Sequence, residues 1–293
     1  TGTGILGIGK DNIEKGVTAQ KFAGTLDGSS HKITLDIGTT YGANVSGAGD
    51  NAAGQLYAKR SDQRDAHYSL ALIPFAGNVI IQNLTVAGTV NGRIPQNVNE
   101  EENAGDIRYP AFISAAIGLA GGDTDFENMT VNTKVSVTEE ADAKKLHVWQ
   151  AGFLGRCEGK ELTFQNCTWG SDSTLTDKRT TENQRIGGLA AEVMGGCVVS
   201  VDACTLSGSI ISKSASNAKV GGLIAVSRGE TQNGTTSADT TIKISNLQVN
   251  EEKINTNGAN KTSGGLLGYQ WKNTNVVFAA SVDNTTASES GVT

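Results

Sequence analysis

The stretch Ile186–Ile210 reads IGGLAAEVMGGCVVSVDACTLSGSI. It opens on a Gly-Gly-Leu corner and an apolar run, then turns at Gly195 and Gly196. An alternating strand follows from Cys197 to Val201, and the short run Cys204–Leu206 comes next. A Ser-Gly turn and Ile210 close the unit. Period-two alternation between glycine-marked turns is a strand pattern. A unit this short cannot bury its apolar side alone, so it needs neighbours of its own kind.

The chain supplies them. The corner phrase recurs as AGFL at 151–154, VGGL at 220–223 and SGGL at 263–266, placing Leu154, Leu189, Leu223 and Leu266 at intervals of 35, 34 and 43 residues. Looser versions are PAFI at 110–113 and ALIPFAG at 71–77, which align Ile113 and Ile73 with those leucines. A second phrase keeps step with the first: QNLTV at 82–86, ENMTV at 127–131, QNCTW at 165–169, DACTL at 202–206 and SNLQV at 245–249. Stacking such units at the interstrand spacing of about 4.8 Å pairs their backbones and makes a continuous interior.

The expected fold is therefore all-β, a right-handed parallel β-helix (β-solenoid) of about seven coils with long loop insertions. One domain covers 1–282, and 283–293 is read as a linker to a following module. Asn83, Asn128, Asn166 and Asn246 suit an internal amide ladder at a turn with left-handed backbone, so the N-x-Thr sequons at the first three are read as structural. Cys204 aligns with Cys167, and both are expected inside as small hydrophobes. FAGTLDGSSHKITLDI, residues 22–37, reads as a first coil with a turn at Asp27–Ser30. Insertions are expected at 38–69, 92–109, 139–150, 171–185 and 229–239.

Composition agrees with this class and excludes several functions. The 293 residues include 37 Gly, 3 Pro and 5% aromatics, and no window shows an apolar stripe at helical spacing. Net charge is −6 and no Lys/Arg stripe with interleaved aromatics exists, so nucleic acid is not an expected partner. No apolar run approaches about 18 residues, so membrane insertion is not expected. Cys157, Cys167, Cys197 and Cys204 form no CxxC pair and no histidine sits at ligand spacing, which argues against zinc.

The FAGTLDGSSHKITLDI phrase, NLTVAGTV and the repeated xGGLxG corners resemble large bacterial cell-surface adhesins with GLUG-type repeats. The resemblance spans roughly 22–282. It implies a right-handed parallel β-helix, export to the cell surface or wall, and a role in adhesion within a larger protein.

Sites for chemistry are sparse. Asp123 and Asp125 could share a strand face, and Asp27 with His31 could form an acid-base pair, but a turn role accounts for each. Glu100–Glu102 reads as a solvated run, with Ca²⁺ the lesser reading, so no cofactor is expected. No G-x-S-x-G elbow occurs. What remains are aromatic and basic residues on insertions: Tyr57, Arg60, Arg64, His67, Tyr68, Arg93, Arg108, Tyr109, His147 and Trp149. Such side chains on a rigid scaffold anchor protein or sugar ligands. The expected function is non-catalytic binding of a host protein or glycan by a monomeric extracellular module. A polysaccharide lyase or glycoside hydrolase using the groove is the alternative, and a structural stalk is a third reading.

Overall fold

A computed structural model describes residues 21–37, 57–59, 66–94, 110–139, 147–179, 184–213, 218–229, 238–250, 253–256, 262–271 and 274–278. The expected linker 283–293 lies outside them. The described residues contain no helix. Nineteen strands join in one nearly closed sheet, and seven form a second. Among the described residues, the one antiparallel pairing is the hairpin of Tyr57–Lys59 with Ala66–Leu70.

Everything else is parallel, level upon level. The file Leu26, Ile81, Phe126, Phe164, Val201, Ile244, Phe278 is paired from neighbour to neighbour and marks seven levels. Its middle members fill the main core, with Phe126 and Phe164 stacked at 5.1 Å and Phe153 edge-on to both. Strands such as Glu161–Gln165 bury alternate residues, as half-buried strands do. The first level, Phe22–Ile37, lies parallel on Ile73–Ile94 with a register shift between Asp27 and His31, where Ser29 and Ser30 take φ of 46° and 64°.

The second phrase stacks as its spacing predicts. Gln82, Glu127, Gln165, Asp202 and Ser245 are register partners, and so are Thr85, Thr130, Thr168, Thr205 and Gln248. Between them the corner demands left-handed backbone: φ is 52° at Asn83, 50° at Asn128, 51° at Asn166, 52° at Ala203 and 51° at Asn246. Asn128 Nδ2 donates to Asn83 Oδ1 at 3.2 Å, and Asn83 Nδ2 to Asp27 Oδ1 at 3.3 Å. The expected internal amide ladder is not formed, however: the row lies at the surface, and Asn246 Nδ2 donates to Asp202 Oδ1 at 2.9 Å. The corner turns the asparagines toward solvent and sends the following residue inward, so Leu84, Met129, Cys167, Cys204 and Leu247 are all buried.

Ala203 is the misfit, because an L-residue other than Asn or Gly is strained in this region by roughly 1–2 kcal/mol. Ala203→Asn is expected to raise stability by about 0.5–1 kcal/mol, read as a higher urea midpoint. A lower midpoint would show that the corner does not set the residue type.

The four cysteines are free and buried. Contact with Cys204 and burial push the Cys167 thiol up, and contact with Cys157 and burial do the same for Cys197. A thiol reagent is expected to modify none of them in native buffer and all of them after unfolding.

Two expectations need correction. The corner position is occupied by Leu72, Ala116, Phe153, Leu189, Leu223 and Leu266, because Leu154 pairs with Ala190 and with Ile117, and Ile117 with Ile73. AGFL is thus one residue out of step, and Ile113 pairs with Gln150, three residues before its corner. Ala115 and Ala116 make the same tight bend without Gly-Gly-Leu, so the string match misleads there. The spans 139–150 and 171–185 are not simple loops either: His147–Ala151, Thr174–Asp177 and Gln184–Gly187 are ladder strands.

Candidate functional site

The strands Ile117–Ala120, Leu154–Cys157 and Ala190–Val193 are buried at every position. One face lines the main core. The other makes a second interior with the seven-stranded sheet, across the two-residue corner. Along it runs one file of register partners: Phe75, Leu119, Arg156, Glu192, Val226, Tyr269. On the seven-stranded sheet the corresponding file is Ser69, Phe112, Trp149, Arg185, Lys219, Thr262. At the early levels this interior is apolar, with Phe75, Phe112, Leu119 and Trp149 in one cluster. Further along the stack it becomes charged.

Glu192 is the centre of the charged part and is 0% exposed. Its Oε1 meets Arg185 Nη1 and lies 3.6 Å from Arg228 Nε, while its Oε2 lies 3.7 Å from Arg156 Nε. Arg156 Nε also approaches Glu158 Oε1 at 3.3 Å. Burial by itself would raise the Glu192 carboxyl, but Arg185, Arg156 and Arg228 outweigh it and hold it below the ordinary range. Burial and the nearby Arg185 push Lys219 down, with Glu192 opposing. The guanidinium carbon of Arg185 sits 4.5 Å over the Trp149 ring, and Lys219 Nζ sits 5.4 Å over Tyr269.

The expected binding residues fall differently from their reading as loop anchors. Tyr57, His67, Tyr68 and His147 lie on strands of the seven-stranded sheet, with Tyr57 opposite Tyr68, and Arg93 lies on Ile73–Ile94. Trp149 is on a strand and buried, with its ring face taken by Arg185, so it is no exposed sugar platform. Arg60, Arg64, Arg108 and Tyr109 lie outside the described residues. Of the expected set, Trp149 alone is seen to join the charged cluster.

Sequence reasoning missed Arg156, Glu158, Arg185, Glu192, Lys219 and Arg228. The available signal was Glu192 itself, a carboxylate in the apolar run 189–194, since buried charges come paired.

The other candidates resolve as turns. Asp27 accepts from Ser29 N at 2.7 Å, Gln82 Nε2 at 2.8 Å and Asn83 Nδ2, and these bonds, that from Gln82 foremost, keep its carboxyl low. His31 Nδ1 lies 3.0 Å from Gly28 O instead. Asp123 Oδ1 accepts from the backbone N–H groups of Lys160 and Glu161, tying one turn to the next level, while Asp125 is on the strand Thr124–Glu127.

Fold and site together define an all-β stack of parallel strands with a charged second interior. No family model, no curated protein and no solved structure matches this chain.

Proposed function

We propose that the stack is a right-handed parallel β-helix serving as a non-catalytic, extracellular ligand-binding module of a bacterial surface protein. Parallel crossovers within one sheet are right-handed in about 98% of cases, and each level here reaches the next by a parallel crossover. Export and surface location rest on the resemblance to adhesins with GLUG-type repeats.

The observation that carries the binding reading is the charged flank. Packing would be served as well or better by apolar residues there, because desolvating ions costs several kcal/mol each. Position in the chain adds support: the spans 38–56, 60–65, 95–109, 140–146 and 180–183 each lead into a strand of the seven-stranded sheet that forms one wall of this flank. Glu192 is held as a carboxylate by its arginines and has no proton to donate near neutral pH, which favours binding over acid catalysis. The partner is a host protein or glycan.

The test is to screen the purified chain on glycan and host-protein arrays and, in parallel, on uronic-acid polysaccharides with and without Ca²⁺. Array binding without release of unsaturated or reducing sugar is the expected result. Product release would convert the reading to an enzyme, and blank arrays with no turnover would leave a stalk.

A further inference from the structure

We propose that the outer face of the strands Thr130–Glu139, Thr174–Asp177, Ser209–Ser212 and Lys253–Thr256 binds a linear acidic polysaccharide. This rests on the binding-module reading, on a surface separate from the buried charged flank, and gives the ligand a chemical class.

These strands stack in register on levels three to six. Val135, Leu175 and Ile210 point into the main core, so the alternate residues face outward. Each level presents one exposed lysine: Lys134 on the third, Lys178 on the fourth, Lys213 on the fifth and Lys253 on the sixth. None of the four side chains forms an ion pair among the described residues. The chain as a whole has 30 acidic against 24 basic side chains, so this face runs against its composition. The exposed carboxylates beside it, among the described residues, are Asp172 in the turn before Thr174 and Asp36 on the first level, where Lys32 balances it in charge.

The lysines fall in two files. Lys178 and Lys213 hold the same position on adjacent levels, since the Lys178 N–H donates to Val137 O and the Lys213 N–H to Asp177 O. Like charges directly opposite on paired strands repel, a cost that the core does not require. Lys134 and Lys253 share the second file with Thr174 and Ser209. At about 3.3 Å per residue, the four-residue offset sets the files about 13 Å apart. Between them runs the uncharged strip Ser136, Thr176, Ile211, Asn255.

Two rows of cations bracketing a strip of hydroxyls and an amide suit one saccharide chain laid along the stack. Its acid groups would meet a lysine on each rung, about every 4.8 Å. Its hydroxyls would meet Ser136, Thr176 and Asn255, and a ring face would lie on Ile211, which is 36% exposed. Nucleic acid is disfavoured because the strip holds no aromatic for bases to stack on. An extended acidic peptide would need a free strand edge, and the strands on levels three to five are paired on both sides.

The experiment titrates the full chain by calorimetry with polygalacturonate and with chondroitin sulfate. Dextran, polyglutamate, duplex DNA and phosphatidylglycerol vesicles at matched ionic strength are the comparison arms. An acidic polysaccharide is expected to bind, with affinity falling as salt rises. The double variants Lys178→Gln/Lys213→Gln and Lys134→Gln/Lys253→Gln are each expected to weaken it about ten-fold or more. Lys243→Gln, at an exposed lysine of Thr240–Ser245 outside this face, is expected to leave it unchanged. All five lysines are exposed, and circular dichroism confirms that each variant is folded.

Binding of neither acidic polysaccharide, or dextran, polyglutamate, DNA or vesicles bound as tightly, would overturn the assignment. So would an equal loss on Lys243→Gln, which would mark attraction by scattered charge, or no loss in either double variant. A neutral glycan or host protein found on the arrays and bound equally by these variants would leave the module reading standing while this inference falls.

Discussion

Glu192→Gln is expected to lower stability by about 3–5 kcal/mol, the usual cost of removing one partner from a buried ionic group. Glu192 has no solvent exposure, and Arg185, Arg156 and Arg228 all converge on its two oxygens. Glutamine keeps the shape and removes the charge, so the arginines are left repelling one another at low dielectric. The effect should depend on pH in a defined direction. The folded-state pKa of Glu192 lies below the ordinary 4.5, so its contribution is complete above that value and disappears as pH falls through the folded value. Urea unfolding of wild type and variant should thus differ most near pH 7 and converge as pH falls through the lowered folded value. A difference under about 1 kcal/mol at pH 7 would show that the cluster is far better solvated than its burial indicates.

How legible this molecule was in its sequence varied from element to element. The DACTL phrase aligned correctly at the five levels that carry it because two physical demands fall on adjacent residues. A left-handed corner favours Asn at 83, 128, 166 and 246, and the next residue, Leu84 through Leu247, must be apolar because it turns inward. The Gly-Gly-Leu phrase aligned less well because its demand is for a close bend, which Ala115 and Ala116 also meet. The strand His147–Ala151 was hidden for another reason. HVWQA has no apolar alternation, since Gln150 faces the core, where its Nε2 donates to the carbonyls of Val135 and Thr176.

The charged flank was almost illegible. Glu192 sits in an apolar run, and its partners Arg156 and Arg228 lie on the levels before and after it. Only the register brings them together: Arg156 pairs directly with Glu192, although their neighbours in sequence give no hint of it. Charges buried by stacking are a property of the third dimension here, and the string of residues holds them apart.

Trp169→Ala is expected to cost about 3–5 kcal/mol, and its neighbours show why. Trp169 is fully buried in a file whose other members are Ile33, Val86, Val131, Leu206 and Val249. Its indole nitrogen has no acceptor among the described residues, so the ring serves for its volume. Glycines make the room. A Cβ at Gly188 would lie 2.7 Å from its Cε3, and one at Gly208 would lie 2.6 Å from its Cζ2. Gly208→Ala should therefore destabilise by about 1–3 kcal/mol through overpacking. In a Trp169→Leu background, matching Leu206 on the next level, most of that cost should vanish, giving a clear coupling energy in a double-mutant cycle. Gly188→Ala should behave otherwise, because its Cβ would also strike the Gly222 carbonyl of the adjacent level, a backbone atom that cannot step aside. Shrinking Trp169 cannot relieve that collision, so Gly188→Ala should stay costly in both backgrounds. If Gly208→Ala costs the same with and without the tryptophan, the indole is not what requires glycine there, and the packing account of this level fails.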